Sequence, residues 1–227
     1  AEVFITDNGH ELIESNLNIL DIFSEVVESE LSHPEGRGEY EFIGMGKHGR
    51  VSAVPEIPEI CVKMSSSQIS KQAHFLGDPK KGDPEDLIVQ TMFLDRDRIE
   101  LSAKPEDGIS VTRQYMAARS SDGVFVSLQE RVVSPFRTVS SLSNGWKFDD
   151  DYRSLVGLIC DRTSKALADT VLRFAVDDIW RNGRMNAGNV LIDTTNSDDF
   201  ISLANADLYV IDQPSHRLKT ARAMMKL

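Results

Sequence analysis

Gly44-Met45-Gly46-Lys47-His48-Gly49-Arg50-Val51, with a second short run at Ile60-Cys61-Val62-Lys63, is the stretch that decides how this chain is read. The spacing G-x-G-x-x-G-x-V lets backbone amides approach phosphate oxygens that larger side chains would obstruct. At ~7% glycine usage, three glycines so spaced arise by chance in roughly one chain in a dozen of this length. Requiring the valine as well lowers that to about one in two hundred. The residues after the glycines separate two readings. A dinucleotide-binding loop runs directly into a helix. Here the continuation, RVSAVPEIPEICVKM, is β-branched and interrupted by Pro55 and Pro58, which excludes that helix. A glycine hairpin laid over a nucleotide needs instead a cation on the next strand, and Lys63 supplies it.

Working outward, residues 10–32 predict a helix, with Leu12, Ile13, Leu17, Leu20, Phe23, Val27 and Leu31 at steps of three and four. His33-Pro34-Glu35-Gly36 stops it. YEFIG, RVSAVP and EICVKM read as strands, and residues 84–96 as a helix with Pro84 in its first turn and acids at its positive end. ISVTRQYMAAR and GVFVSLQERVV alternate as two further strands joined by a turn at Ser120–Gly123. A polar linker leads to the longest helical pattern, residues 151–181, ended by Arg181-Asn182-Gly183. NVLID and LYVID close the pattern as short strands, each ending in Asp. Strands gather early and helix late, so the expected class is α+β, with a small sheet lobe and a more helical lobe.

At this point the chain resembles the protein-kinase-like superfamily. I-C-V-K matches its V-A-I-K strand. The resemblance implies a two-lobed kinase-like fold with a small β-rich N-lobe and a reduced helical C-lobe. The expected domains are an N-terminal helical extension at 1–36, an N-lobe at 37–135 and a minimal C-lobe at 136–227. It implies an ATP site at Gly44, Gly46, Gly49, Val51 and Lys63. Glu85 is the first candidate for the acid that holds the lysine, with Asp86 and Glu100 as the other acids in range. Gln129-Glu130-Arg131-Val132 would form the hinge whose backbone meets adenine, at Glu130 and Val132. Further on, Asn182-Gly183-Arg184-Met185-Asn186-Ala187-Gly188-Asn189-Val190-Leu191-Ile192 resembles the H-G-D-x-x-x-G-N-V-L loop of aminoglycoside-phosphotransferase-like kinases and small bacteriophage protein kinases. Asn189 falls on that family's magnesium-binding Asn. Asp212 falls on the metal-binding Asp that opens D-F-G, here D-Q-P. The linker between them, TTNSDDFISLANAD, reads as a hairpin insertion. The implied cofactors are ATP and Mg²⁺, and the implied reaction is phosphoryl transfer to a protein or small-molecule hydroxyl.

One departure bears directly on that reaction. Arg184 stands where the family places its catalytic Asp, and Asn182 stands in its His slot. A guanidinium remains protonated at physiological pH and cannot act as a base. A catalytically weak pseudokinase serving as a nucleotide-binding interaction module, or a nucleotidyl transferase, are therefore the alternative readings. Asp177 and Asp178 are the nearest other acids. Few residues follow Asp212, so the later helices of an ordinary protein kinase are not expected here.

The charge pattern narrows the partners. Net charge is −11 and the pI near 4.9, against a general nucleic-acid-binding surface. Residues 1–60 hold thirteen acids against Arg37, Lys47 and Arg50, while Arg217, Lys219, Arg222 and Lys226 follow Asp212 with no acid. The acidic N-terminal helix is an expected surface for a protein partner, beside its packing on the small lobe. Cys61 and Cys160 form no metal pattern, and the five histidines show no ligand spacing. No apolar run has the length of a membrane span, and AEVFITDNGHEL lacks the pattern of a signal peptide, so a cytoplasmic location without membrane association is expected.

Overall fold

The computed structural model describes residues 2–32, 40–45, 49–66, 84–144, 150–170, 185–195 and 200–212. They form an α+β structure in two compact units, residues 1–92 with 113–131, and residues 93–112 with 132–227. The sequence placed divisions at 36 and 135; the units divide instead at 92, 112 and 131.

The first unit is built on β1 (Glu2–Ile5), α1 (Asp7–Ser15), α2 (Ile19–Ser32), β2 (Phe42–Met45), β3 (Arg50–Ala53), β4 (Ile60–Ser65), β6 (Gln114–Arg119) and β7 (Phe125–Glu130). Its six strands make an antiparallel sheet in the order β1-β6-β7-β4-β3-β2. Strand alternation places Ile60, Val62 and Met64 of β4 with Met116, Val126 and Leu128 in one core, capped by Ile19 and Val26 of α2. Each such aliphatic side chain contributes about 1.5–3 kcal/mol by leaving water.

The N-terminus departs from the single helix expected over 10–32. Asn16, extended at φ −140°, ends α1, and its side chain accepts from the Asn18 N–H at 3.3 Å. This local Asn turn competes with the helix and breaks it. The second helix restarts on a different stripe, so Leu17 and Leu20 are exposed (86% and 44%) while Ile19 and Val26 are fully buried. Ahead of every expected element, β1 pairs with β6. Thr6 then caps α1, accepting from the Gly9 N–H at 3.0 Å and donating to the Gln114 carbonyl at 2.6 Å. Only glycine fits at position 9, where a Cβ would lie 1.9 Å from the Tyr115 carbonyl oxygen.

The second unit holds β5 (Ile109–Val111), β8 (Phe136–Thr138), α4 (Asp150–Ala168), β9 (Val190–Asp193), α5 (Phe200–Asn205) and β10 (Leu208–Val210). Its sheet runs β5-β10-β9-β8, with only β5 and β10 parallel. Leu155, Ile159 and Leu167 of α4 pack with Val190, Ile192, Leu208 and Val210 in an aliphatic core. Arg162 donates to the carbonyls of Ala204, Ala206 and Asp107 at 2.8–3.1 Å and so ties α4 to α5 and to the turn before β5. The linker expected as a hairpin insertion carries α5 instead. The helix α3 (Leu87–Leu101) contributes its first six residues to the first unit and the rest to the second.

The run 109–119, expected as one strand, is two. Thr112 donates its N–H to the Val210 carbonyl at 3.1 Å, whereas the Arg113 carbonyl accepts from the Glu130 N–H at 2.8 Å. The backbone changes sheets across that one peptide. Part of the helix expected over 151–181, from 171 onward, lies outside the described residues. No described helix is long and apolar enough to cross a membrane.

Candidate functional site

Lys63 sits on β4 between β3 and β7. Its strand neighbours Val62 and Met64 face the aliphatic core, so alternation turns Lys63, with Cys61 and Ser65, to the opposite face. That face is buried, yet it carries a cation: Lys63 is 5% exposed. Its Nζ lies 2.9 Å from Glu85 Oε2, with both side chains under a tenth exposed. The same ammonium donates to Gln90 Oε1 at 2.9 Å. Of the other acids in range, Glu100 pairs with Arg96 at 2.8 Å.

The segment before α3 places both partners. Ser65 Oγ accepts from the Glu85 N–H at 2.7 Å, fixing the backbone beside the lysine. Asp86 caps the helix, accepting from the Val89 N–H at 3.2 Å. The helix thus begins at Leu87 rather than at Pro84, and Glu85 lies in its lead-in. Gln90, one turn in, is 2% exposed. Sequence reading did not find Gln90. The available signal was a single amide within the apolar run LIVQTMFL.

Register brings the glycine hairpin to the lysine. Gly44 pairs with Val51, and Val51 with Lys63, so the three stand in one row across β2, β3 and β4. Gly49 lies against the lysine stem: a Cβ there would be 2.9 Å from the Met64 carbonyl and 3.1 Å from Lys63 Cε. Around Gly44 there is open space. Gly46 lies outside the described residues.

Burial pushes the neighbouring Cys61 thiol up to about 12, against the hydrogen bond with Gln129 and the positive charges of Arg131 and Lys63. It stays a thiol at neutral pH and offers no nucleophile. Glu130 ends β7. Its carboxylate accepts from the Arg113 N–H at 2.9 Å and its carbonyl from Cys61 Sγ at 3.8 Å. Val132 is the first residue of the chain's return to the second unit.

In the second unit, Asn186 folds the loop before β9 by accepting from the Gly188 N–H at 2.8 Å. Asn189 closes that turn, and its carbonyl accepts from the Ile211 N–H at 3.0 Å. Because Val190 pairs with Val210, Asn189 and Asp212 come to the same end of the β9–β10 pair. One amide oxygen and one carboxylate there are hard donors of the kind Mg²⁺ takes. Among the described residues no three His, Cys, Asp or Glu side chains gather as a metal cluster. Arg184, with Asn182, Asp177 and Asp178, lies outside the described residues.

No family model matches the chain, and no curated protein matches it. Among solved structures one match is "WaaP in complex with acyl carrier protein", at 14% identity and a TM-score of 0.46, covering 98% of this chain and 79% of that one. Likeness at that level establishes neither a shared fold nor a shared activity.

Proposed function

We propose that the chain is a kinase-like protein that binds ATP with Mg²⁺ and transfers phosphate to a protein or small-molecule hydroxyl. The observation that carries the reading is the buried Lys63–Glu85 pair beside Gly49. Replacing a buried ion pair by packed apolar residues is often neutral or stabilising, so the fold alone gives no reason for a lysine in the middle of this sheet. An anionic ligand gives one. Lys63 pairs phosphate oxygens, Glu85 holds its ammonium in place, and the Gly44–Gly49 backbone covers the phosphates. The backbone at Glu130 and Val132 meets the base. Asn189 and Asp212 would hold the metal, which when bound neutralises phosphate charge.

The replacement at Arg184 favours a second reading, a pseudokinase that binds nucleotide as an interaction module. A fixed cation stabilises transferring phosphate but takes no proton, and loss of a positioned base costs typically 10²–10⁴ in rate. Because phosphoryl transfer relies mainly on positioning and charge, slow activity is expected to survive. Incubation with ATP labelled at the γ or the α phosphate separates the readings. Transfer of γ label to the protein or an added acceptor supports the kinase, and transfer of α label a nucleotidyl transferase. Saturable ATP binding without transfer supports the pseudokinase. Absence of ATP binding contradicts all three.

A further inference from the structure

We infer that Gln129 is a specificity-determining residue, and that its side-chain oxygen selects a nucleotide whose base carries an exocyclic amino group. The inference rests on the reading of the Lys63 face as a nucleotide site. Gln129 stands opposite Cys61 and Ser127 opposite Lys63, so Gln129 and Lys63 share one face of the sheet. They are diagonal neighbours, about 7–8 Å apart along that face. Val126 and Leu128, on either side of Ser127, belong to the aliphatic core on the other face. Gln129 is 6% exposed, and its buried Oε1 has no hydrogen-bond partner among the described residues. The bonding of Cys61 identifies which end of the amide that is. Cys61 donates its S–H to the Glu130 carbonyl at 3.8 Å, so its sulfur can only accept from Gln129. The amide NH₂ therefore turns to the sulfur, and the oxygen turns away from it. Nearly all buried polar groups have a partner, so this acceptor marks a place where a donor is brought from outside.

The neighbouring backbone narrows what that donor is. The Glu130 N–H is bonded to the Arg113 carbonyl at 2.8 Å, and the Arg131 N–H to the Glu59 carbonyl at 2.7 Å. At Glu130 the end of β7 therefore offers acceptors, its own carbonyl and Gln129 Oε1. A carbonyl has two lone pairs, so the weak bond from Cys61 leaves the Glu130 oxygen able to accept again. An amino group on an aromatic base brings two N–H donors in one plane and meets both oxygens. A base with a carbonyl at that position sets oxygen against oxygen, which costs more than a missing bond.

The test uses the whole chain and three Mg²⁺ complexes, whose affinities are read by calorimetry. They are ATP, purine riboside triphosphate, which has hydrogen in place of the amine, and ITP, which has a carbonyl there. The wild type is expected to bind ATP about fivefold more tightly than purine riboside triphosphate, the size of one neutral hydrogen bond. Its preference for ATP over ITP is expected to exceed about tenfold. Gln129→Met and Gln129→Leu, their folds checked by circular dichroism, remove the acceptor. Each should narrow the preference for ATP over ITP by about fivefold and leave purine riboside triphosphate within about twofold of the wild type. Equal wild-type affinities for the three overturn the inference, assign Oε1 to an interior water and leave the phosphate role of Lys63 standing. The wild-type series decides this even where a variant fails to fold. Variants that keep the full preference for ATP also overturn it, because the Glu130 backbone alone then reads the amine. So does an equal loss for all three, which marks a merely structural role. If no triphosphate binds the wild type, the inference and the nucleotide reading are overturned together.

Discussion

The two units bury different things. Among the described residues, the second unit's core is almost wholly aliphatic, and its buried polar side chains are Asp97, Thr112, Thr163 and Thr170. The first unit buries Arg50, Lys63, Gln90, Gln114 and Gln129 along with several hydroxyls. Polar burial on that scale stabilises little, because each group must recover in hydrogen bonds what it loses in hydration. The contrast separates a unit whose strand ends present Asn189 and Asp212 on an apolar scaffold from one that holds a cation inside its sheet. The first unit thus buries charged and amide groups where the second buries aliphatic ones, a contrast that substitutions in each can probe.

The largest effect is expected at Lys63. Lys63→Met leaves the Glu85 carboxylate buried without this cation and should cost about 3–5 kcal/mol, read from the urea midpoint. Adding Glu85→Leu should restore most of that loss, while neither variant regains affinity for ATP. A double variant that binds ATP normally would erase the contrast between the units. In the second unit, Leu155→Ala removes a fully buried side chain and should cost about 2–5 kcal/mol. Variants that remain folded should keep wild-type affinity for tripolyphosphate. Loss of that affinity would show that polyphosphate binding depends on the second unit's core as well as on Lys63.

How far these features were readable from sequence varies with the same division. The strands carrying Gly44, Val51 and Lys63 stood out because β-branched alternation and glycine punctuation are local signals. The approach of Glu85 to Lys63 was expected from its place at a helix start, though the helix begins two residues later. Gln90 was hidden because periodicity records the polarity of a side chain and not its burial. Local signals also failed where tertiary hydrogen bonds decide. Nothing between Thr112 and Arg113 marks the change of sheet, which depends on Val210 and Glu130 far along the chain. The short β1 has only EVFI to announce it, and its partner β6 lies more than a hundred residues away. The Asn16–Asn18 turn was readable, but the apolar stripe across it pointed to one continuous helix. Readings resting on Gly46 and Arg184 fall outside the described residues.

A smaller effect is expected in the glycine hairpin. Gly49→Ala forces a methyl against the Met64 carbonyl and the Lys63 stem, and should destabilise by about 1–3 kcal/mol. Gly44→Ala meets nothing within 4 Å and should stay within about 0.5 kcal/mol of the wild type. Equal costs at both positions would mean that the close approach at Gly49 has no energetic consequence.

The smallest effect belongs to the second unit. Hydrogen bonds from Thr195 hold the Asp193 carboxyl below its ordinary value of 3.8. A depressed folded value contributes stability that is present above the unfolded pKa and lost as pH falls through the folded one. Asp193 is largely solvated, so the gain is well under about 1 kcal/mol. The difference in urea midpoint between the wild type and Asp193→Ala should therefore be present at pH 7 and shrink as pH falls below the unfolded carboxyl's value of about 3.9. A difference that persists unchanged in acid would exclude the carboxylate charge as its source.

Every functional reading above depends on the proposal that the lysine buried in the first unit's sheet meets phosphate. Its sharpest test is calorimetric titration of the whole chain with ATP–Mg²⁺, repeated on Lys63→Met after that variant's fold is checked by circular dichroism. Saturable binding by the wild type is expected, with a loss of about 10²–10³ in affinity for the variant, the scale of removing a preorganised charge partner. Equal affinities, or no heat of binding from the wild type at millimolar nucleotide, would contradict that role for Lys63.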